Sequence, residues 1–161
     1  CKKSIMTISV FQVGMGPIGT VLSGVLDPDP YTGTRIEFEH DRIAAPGAPG
    51  SSGVQIDHIV SLSAAHAGGA WAWTEQQRIQ FANSFDNIVA VDGNTNAAKN
   101  DHGPALWLPS NADYVCTYVA RYTEIVDTWH LAVDEADRGA LVDTLSTCAA
   151  QQASDESGSM S

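Results

Sequence analysis

The order of apolar and polar residues predicts a β-hairpin near the start of the chain. Residues 20–26 and 34–39 mix β-branched, aromatic and polar side chains in the manner of short strands. The connection at residues 27–33 is Asp-Pro-Asp-Pro-Tyr-Thr-Gly, whose Pro and Gly residues favour a turn. We therefore expect the two strands to pair with each other.

The middle of the chain predicts two further strands, each followed by a helix. A loop rich in Gly, Pro, Ala and Ser at residues 44–53 separates this part from the hairpin. Thr74 and Gln77 have the spacing of a capping box, which favours a helix start there. The predicted elements are strands at 54–60 and 87–91 and helices at 71–82 and 94–100.

The C-terminal third predicts an antiparallel pair of helices that covers the sheet. Apolar residues recur there at three- and four-residue steps, and the pattern breaks at Val133-Asp134. Residues 151–161, rich in Ala, Ser, Gly, Asp and Glu, predict a disordered tail. Together the patterns predict an α+β fold with a single domain at residues 1–150.

Composition fits one globular domain but is unusual for a protein that binds nucleic acid. The chain has 161 residues, of which 43% are hydrophobic and 17% charged, enough for one core. Its net charge is -11, from 8 Lys and Arg against 19 Asp and Glu. Phosphate contacts normally supply much of the affinity for nucleic acid. This charge argues against such a function without excluding it, because many of the acidic residues are C-terminal.

A charge-free segment at residues 4–26 raises the question of a membrane span or a signal peptide. Four glycines, Pro17, Gln12 and scattered Ser and Thr dilute its hydrophobicity, and no cleavage pattern stands out. We expect no stable membrane insertion and a monomer. A chain that begins at Cys1 is compatible with a processed lipoprotein and equally with a fragment.

An ordered set of polar residues in the middle third suggests hydrolytic chemistry. The set comprises Asp57-His58, Asn87, Asn96 and Lys99. Phosphodiester hydrolysis needs a base to deprotonate water and positive charge to stabilise the phosphate and the departing oxygen. A histidine beside a carboxylate, with a distant amide to complete a metal shell, supplies both.

The order of these residues resembles the ββα-metal, or HNH, endonucleases. The similarity is greatest to the HNH family that includes the C-terminal domain of GmrSD-type restriction enzymes and many small secreted nucleases, and it extends over about residues 20–148. It implies a ββα-metal core with an N-terminal β-hairpin and a C-terminal antiparallel helix pair. The matching segments are Asp-Pro-Tyr-Thr-Gly at 29–33, Gln-Ile-Asp-His-Ile-Val-Ser-Leu-Ser at 55–63, Gly-Ala-x-x-Trp-Thr at 69–74, Arg-x-x-Phe-Ala-Asn at 78–83, Asn-Ile-Val-Ala-Val-Asp-Gly at 87–93, Trp-Leu-Pro at 107–109 and Cys-x-Tyr-Val-Ala-Arg at 116–121.

The resemblance implies a role for each polar residue in hydrolysing DNA, or alternatively RNA. His58 would be the general base, since imidazole titrates near neutral pH. Asp57 and Asn96 would bind Mg²⁺ or Mn²⁺, which prefer oxygen ligands. Adjacent residues of a regular strand face opposite sides, so Asp57 and His58 share a site only if the pleat is broken there or if they hold the active centre from its edge. The resemblance implies such an arrangement. Asn87 would fix the loop of the ββα unit by hydrogen bonds.

Several of these residues also have ordinary structural interpretations. Lys99 lies three residues after Asn96, on the same helix face, and is expected either to contact a phosphate or to be a surface lysine. Asn96 or Asn94 would otherwise cap the helix. Arg78 and Arg121 are expected to hold a phosphate or to pair with a core carboxylate.

Two other functions compete with the nuclease interpretation. Related proteins have an upstream Cys-x-Thr-Arg segment, and the nearest counterpart here, at residues 1–4, lacks the Thr and the Arg. With the acidic composition, this favours a catalytically weak module that binds protein or nucleic acid. A zinc hydrolase is the third interpretation, although the five histidines at positions 40, 58, 66, 102 and 130 have no recognised ligand spacing.

The three cysteines predict one disulfide. In an antiparallel hairpin of helices that turns near residues 132–133, Cys116 and Cys148 lie at the same level along the helix axes. We expect these two to pair, with Cys1–Cys116 as the rival. A disulfide favours a secreted or cell-envelope protein over a cytoplasmic one.

Overall fold

The computed structural model of the protein describes residues 14–15 and 21–158. Within these residues the fold is α+β, with two small antiparallel sheets and five α-helices. The first sheet has the strand order β1-β2-β3, and the second pairs β4 with β5. The strands are β1 (Gly14–Met15), β2 (Val21–Leu26), β3 (Ile36–Glu39), β4 (Val54–His58) and β5 (Ile88–Asp92).

The predicted hairpin is confirmed. β2 and β3 pair in antiparallel register, with Leu26 opposite Ile36 and Ser23 opposite Glu39. The turn between them contains Gly33 at φ 74°, a left-handed conformation that glycine adopts without steric cost. β4 and β5 also pair antiparallel although 29 residues of sequence separate them.

The helices follow the predicted order, with one addition. α1 begins after Ser61, whose side chain accepts a hydrogen bond from the main-chain N–H of Ala64, and its short Ser-Ala-Ala sequence gives little periodic signal. The capping box of Thr74 and Gln77 is confirmed, so α2 starts after Thr74, and 3₁₀ turns lie at Ala70–Ala72 and Gly50–Ser52. The helices are α1 (Leu62–Ala67), α2 (Glu75–Ala82), α3 (Gly93–Lys99), α4 (Ala112–Thr128) and α5 (Glu135–Gly158).

The C-terminal segment differs from the expectation. α5 continues to Gly158, where the sequence predicts a disordered tail from residue 151. Alanine has the highest helix propensity of all residue types. The helix extends beyond its last buried position, Cys148, through a segment that contains Ala149, Ala150 and Ala153. None of the helices in the described part of the chain is long and apolar enough to cross a membrane. The charge-free segment at 4–26 lies mostly outside the described residues.

The core forms where α4 packs over the β4–β5 sheet. Val89 and Val91 face inward from β5, as strand alternation requires, and both are buried. α4 contributes a stripe of buried residues at three- and four-residue spacing, which is the pattern of an amphipathic helix. The buried residues of this stripe are Tyr114, Tyr118, Val119, Tyr122 and Ile125.

The predicted disulfide between Cys116 and Cys148 is present and joins α4 to α5. Their Cα atoms are 5.7 Å apart, within the usual range for a disulfide. The rival pairing of Cys1 with Cys116 is wrong in this structure, because Cys116 is already bonded. The bond fixes the antiparallel arrangement of the two helices near the start of α4.

Reduction of this disulfide should lower the free energy of unfolding by about 3 to 4 kcal/mol, because the bond closes a loop with a sequence separation of 32. Urea unfolding of oxidised and reduced protein, with the Cys116→Ser/Cys148→Ser variant as control, measures the change. Equal midpoints for the oxidised protein and the double variant would contradict this expectation.

Candidate active site

The β4–β5 sheet has an inner face toward the core and an outer face that carries His58. Along β4 the side chains alternate, so that Asp57 is buried at 6% exposure while Ile56, before it, is 60% exposed. His58 is half-buried and lies opposite Ile88 of β5. The strand is regular at this point, and Asp57 and His58 therefore face opposite sides of the sheet.

One ring nitrogen of His58 is held by the end of α2. Its Nε2 lies 2.9 Å from the carbonyl oxygen of Ala82. A carbonyl oxygen only accepts hydrogen bonds, so Nε2 must carry the proton. In the neutral ring the lone pair then resides on Nδ1. This arrangement fixes the tautomer that a general base needs.

On the inner face, Asp57 forms a buried ion pair with Lys99 of α3. The Lys99 Nζ atom is 2.9 Å from Oδ2 and 3.1 Å from Oδ1 of Asp57. It also donates to the main-chain oxygen of His58 at 2.9 Å. Lys99 has no exposed surface, so it lies out of reach of a substrate phosphate in this conformation. The expectation of a surface lysine is wrong, because Lys99 is a buried partner of Asp57.

Tyr31 completes the surroundings of Asp57. Its hydroxyl donates to Oδ2, and its ring is completely buried between Trp107 and Tyr118, at centroid distances of 4.8 and 5.9 Å. Burial, and then the negative charge of Asp57, raise the pKa of Tyr31 well above its ordinary value. The hydroxyl therefore stays protonated and remains a donor to the carboxylate.

Asn96 lies on the face of α3 that packs against β4. Its side-chain nitrogen donates to Oε1 of Gln55 at 2.9 Å. The cap of α3 is Asp92, which accepts from the N–H of Thr95 at 2.7 Å, so neither Asn94 nor Asn96 caps the helix.

Asn87 is completely buried and ties the segment after His58 to the start of β5. Its Oδ1 accepts from the N–H of Val60 at 2.9 Å, and its Nδ2 donates to the oxygen of Val60 at 3.1 Å. The main-chain oxygen of Asn87 accepts from the N–H of Ile59 at 2.8 Å. These bonds close the loop next to His58 and give both polar side-chain atoms of Asn87 a partner.

The predicted metal ligands do not fit an ion as they are arranged. Both oxygens of Asp57 are engaged by Lys99 and Tyr31, and Asn96 is bonded to Gln55 through its Nδ2 atom. An ion at Asp57 would have to displace a buried ammonium. Within the residues that the structure describes, no three His, Cys, Asp or Glu side chains are grouped so as to hold a metal ion.

Asp29 is a structural residue of the site that sequence reasoning assigned only to a turn. It is completely buried, and its Oδ2 accepts from the N–H and the hydroxyl of Thr32 at 2.7 and 2.6 Å. Its Oδ1 accepts from the N–H of Asp92 at 2.9 Å. The hairpin turn is thereby fixed to the start of α3. Asp29 and Tyr31 both belong to the segment at 29–33 that resembles the HNH family. This resemblance was the signal in the sequence that could have identified them.

The two candidate arginines interact mainly with main-chain oxygens. Arg121 donates to the oxygen of Asp86 at 2.7 Å and to the hydroxyl of Tyr114 at 3.1 Å. Arg78 donates to the oxygen of Trp73. The expected pairing with a core carboxylate is absent from these contacts of the described chain.

Glycine is required where the start of α3 approaches the 3₁₀ turn that precedes β4. A Cβ atom at Gly93 would lie 1.8 Å from the main-chain oxygen of Ser52, far inside van der Waals contact. The N–H of Gly93 also donates to the oxygen of Gly53 at 3.1 Å. This close approach sets the position of α3, and hence of Asn96 and Lys99, against the strand.

Most of the chain matches a known protein family. The family described as GmrSD restriction endonucleases, C-terminal domain, matches residues 17–144. A protein of Arthroderma benhamiae named "Uncharacterized secreted protein" is 42% identical over 100 residues, which are 61% of this chain and 49% of that protein. The chain thus spans about half the length of this relative. No solved structure matches the chain.

Proposed function

The chain belongs to the family of GmrSD restriction endonucleases, C-terminal domain, and from this premise we propose that it hydrolyses phosphodiester bonds. The proposed activity is that of an endonuclease acting on DNA with little sequence specificity. We further propose that β4, β5 and α3 are the ββα unit of an HNH nuclease. The two strands pair antiparallel, and α3 follows β5 directly, which is the order that such a unit requires.

The bond between His58 and the oxygen of Ala82 is the observation on which the proposal rests. With Nε2 held by a carbonyl, Nδ1 is the basic atom of the neutral ring. In the proposed reaction Nδ1 takes a proton from water as the water oxygen attacks phosphorus. The bond from phosphorus to the 3′-oxygen breaks, and the departing oxygen gains a proton from solvent.

Asn87 would act as a positioning residue in this mechanism. It holds the chain immediately after His58 through two hydrogen bonds to Val60. Loss of these bonds would let the end of β4 move relative to Ala82. The effect on catalysis would pass through the orientation of His58.

Mg²⁺ or Mn²⁺ is the cofactor that the family resemblance implies. Asp57 and Asn96 do not fit an ion as they stand, because both oxygens of Asp57 are bonded to Lys99 and Tyr31. The mechanism for His58 therefore contains no step through a cation. We propose the cation requirement separately, and plasmid digestion with and without EDTA tests it.

An oxidising compartment is the proposed location. The Cys116–Cys148 disulfide would not persist in a reducing cytosol. The word "secreted" in the name of the Arthroderma benhamiae relative agrees with this location. We propose a secreted or cell-envelope protein.

Plasmid digestion tests the proposed function and the cation requirement together. Supercoiled plasmid is incubated with the protein in Mg²⁺, Mn²⁺, Zn²⁺ or EDTA, and nicked and linear products are measured. Nicking in Mg²⁺ or Mn²⁺ that EDTA abolishes supports a cation-dependent nuclease, and nicking that persists in EDTA removes the cation from the proposal. Absence of nicking in every condition, together with retention of DNA in a gel-shift assay, would favour the binding module instead.

A further inference from the structure

A nearly fully exposed aromatic side chain lies close to His58. Phe85 is 87% exposed, the largest exposure among the large hydrophobic residues of the described chain. His58 is close to both ends of the segment 82–88. Its Nε2 atom is bonded to the oxygen of Ala82, and in the β4–β5 pairing it lies opposite Ile88. Phe85 is the middle residue of this segment, three residues from either end. At most about 10 Å of extended main chain therefore separates it from Ala82 or from Ile88.

The main chain around Phe85 is held in place although its side chain is exposed. Within this loop, the N–H groups of Asn87 and Ile88 both donate to the oxygen of Ser84, at 2.9 and 3.1 Å. Arg121 reaches the loop from α4 and donates to the oxygens of Phe85 and Asp86. The ring of Phe85 is thus presented from a fixed backbone, as in a preformed binding surface.

The outer face of the β4–β5 sheet extends this apolar surface. Ile56 precedes His58 by two residues on the same face and is 60% exposed. Its partner on β5 is Ala90. Exposed Phe and Ile side chains, one in the loop next to His58 and one on the same strand, are suited to contact bases and sugars rather than phosphates.

Positive charge is scarce in the described part of the chain. The described residues contain six Lys and Arg. Lys99 is completely buried, Arg35 forms ion pairs with two carboxylates, and Arg78 and Arg121 donate to main-chain oxygens. The net charge is -11. Counterion release therefore provides little affinity, and stacking of bases on aromatic rings is the remaining mode that tolerates any sequence.

We propose that Phe85 stacks on an unpaired base beside the phosphate cleaved at His58, so that the preferred substrate is single-stranded nucleic acid. The inference rests on the proposed function and names its substrate class. In a duplex both faces of every base are covered by neighbouring bases, and Phe85 cannot stack without separating them. A single strand offers free base faces at little cost.

Binding measurements on the full chain test this inference. A fluorescein-labelled oligonucleotide of mixed sequence, single-stranded or annealed to its complement, is titrated with the His58→Ala protein, and anisotropy gives Kd. Adding Phe85→Ala should raise the Kd for the single strand about 5- to 100-fold and leave the Kd for the duplex unchanged. Phe85→Trp should retain the affinity, and the oligonucleotide should quench its fluorescence.

Trp71→Ala is the matched control, because Trp71 is 67% exposed but lies at the opposite end of α2. It should bind the single strand like the parent protein. Equal single-strand affinity with and without Phe85, or tighter binding of the duplex by the parent, would overturn the inference. Plasmid nicking with such a result leaves the nuclease proposal standing. Phe85-dependent binding without any cleavage would instead show a single-strand binding surface and overturn the nuclease proposal.

Discussion

Substitution of His58 by Ala should slow cleavage about 10²- to 10⁴-fold, which is the usual contribution of a general base. His58 is half-buried and forms one hydrogen bond to the oxygen of Ala82, so its loss should cost only about 1 kcal/mol of stability. Initial rates of plasmid nicking and urea unfolding curves measure the two effects. A large loss of rate with a small loss of stability separates a catalytic role from a structural one.

Two controls sharpen this prediction. His58→Gln keeps an N–H group that can donate to Ala82 but has no basic nitrogen, so it should be as inactive as His58→Ala. Added imidazole should partly restore the Ala variant, because a free base can enter the space that the ring leaves, and should not affect the Gln variant. Wild-type rates in either variant would remove His58 from the mechanism.

The sequence predicts those parts of the fold that local patterns determine. Short extended segments and the turn residues beside them predicted β2, β3, β4 and β5, and the capping box of Thr74 and Gln77 predicted the start of α2. The disulfide followed from helix length and turn position alone. α1 was missed because six residues with little periodicity give no helical signal, although Ser61 is a good cap.

The surroundings of the polar residues could not be predicted from local patterns. The spacing of Asn96 and Lys99 places both on one helix face, but which partner meets that face depends on how α3 packs on β4. Alternation places Asp57 and His58 on opposite faces, and the structure follows it. The burial of Asp57 against Tyr31, 26 residues earlier in the chain, is a tertiary contact.

The buried pair of Asp57 and Lys99 leads to the largest expected effect on stability. Lys99 has no exposed surface, and its ammonium is bonded to both oxygens of Asp57 and to the main chain of His58. Removing one partner leaves the other as an unpaired buried charge. Lys99→Met and Asp57→Asn should therefore each lower the free energy of unfolding by about 3 to 5 kcal/mol.

The double variant Asp57→Asn/Lys99→Met should be more stable than either single variant, because neither charge remains to be buried. Urea unfolding of all four proteins gives the coupling energy of the pair. Repeating the series with excess Mg²⁺ distinguishes this structural role from metal binding, since an ion that binds only the folded protein stabilises it. If Mg²⁺ stabilised the wild type but not Asp57→Asn, and the metal-free Asp57→Asn protein were as stable as the wild type, Asp57 would be a metal ligand. The buried pair with Lys99 would then not describe the working enzyme.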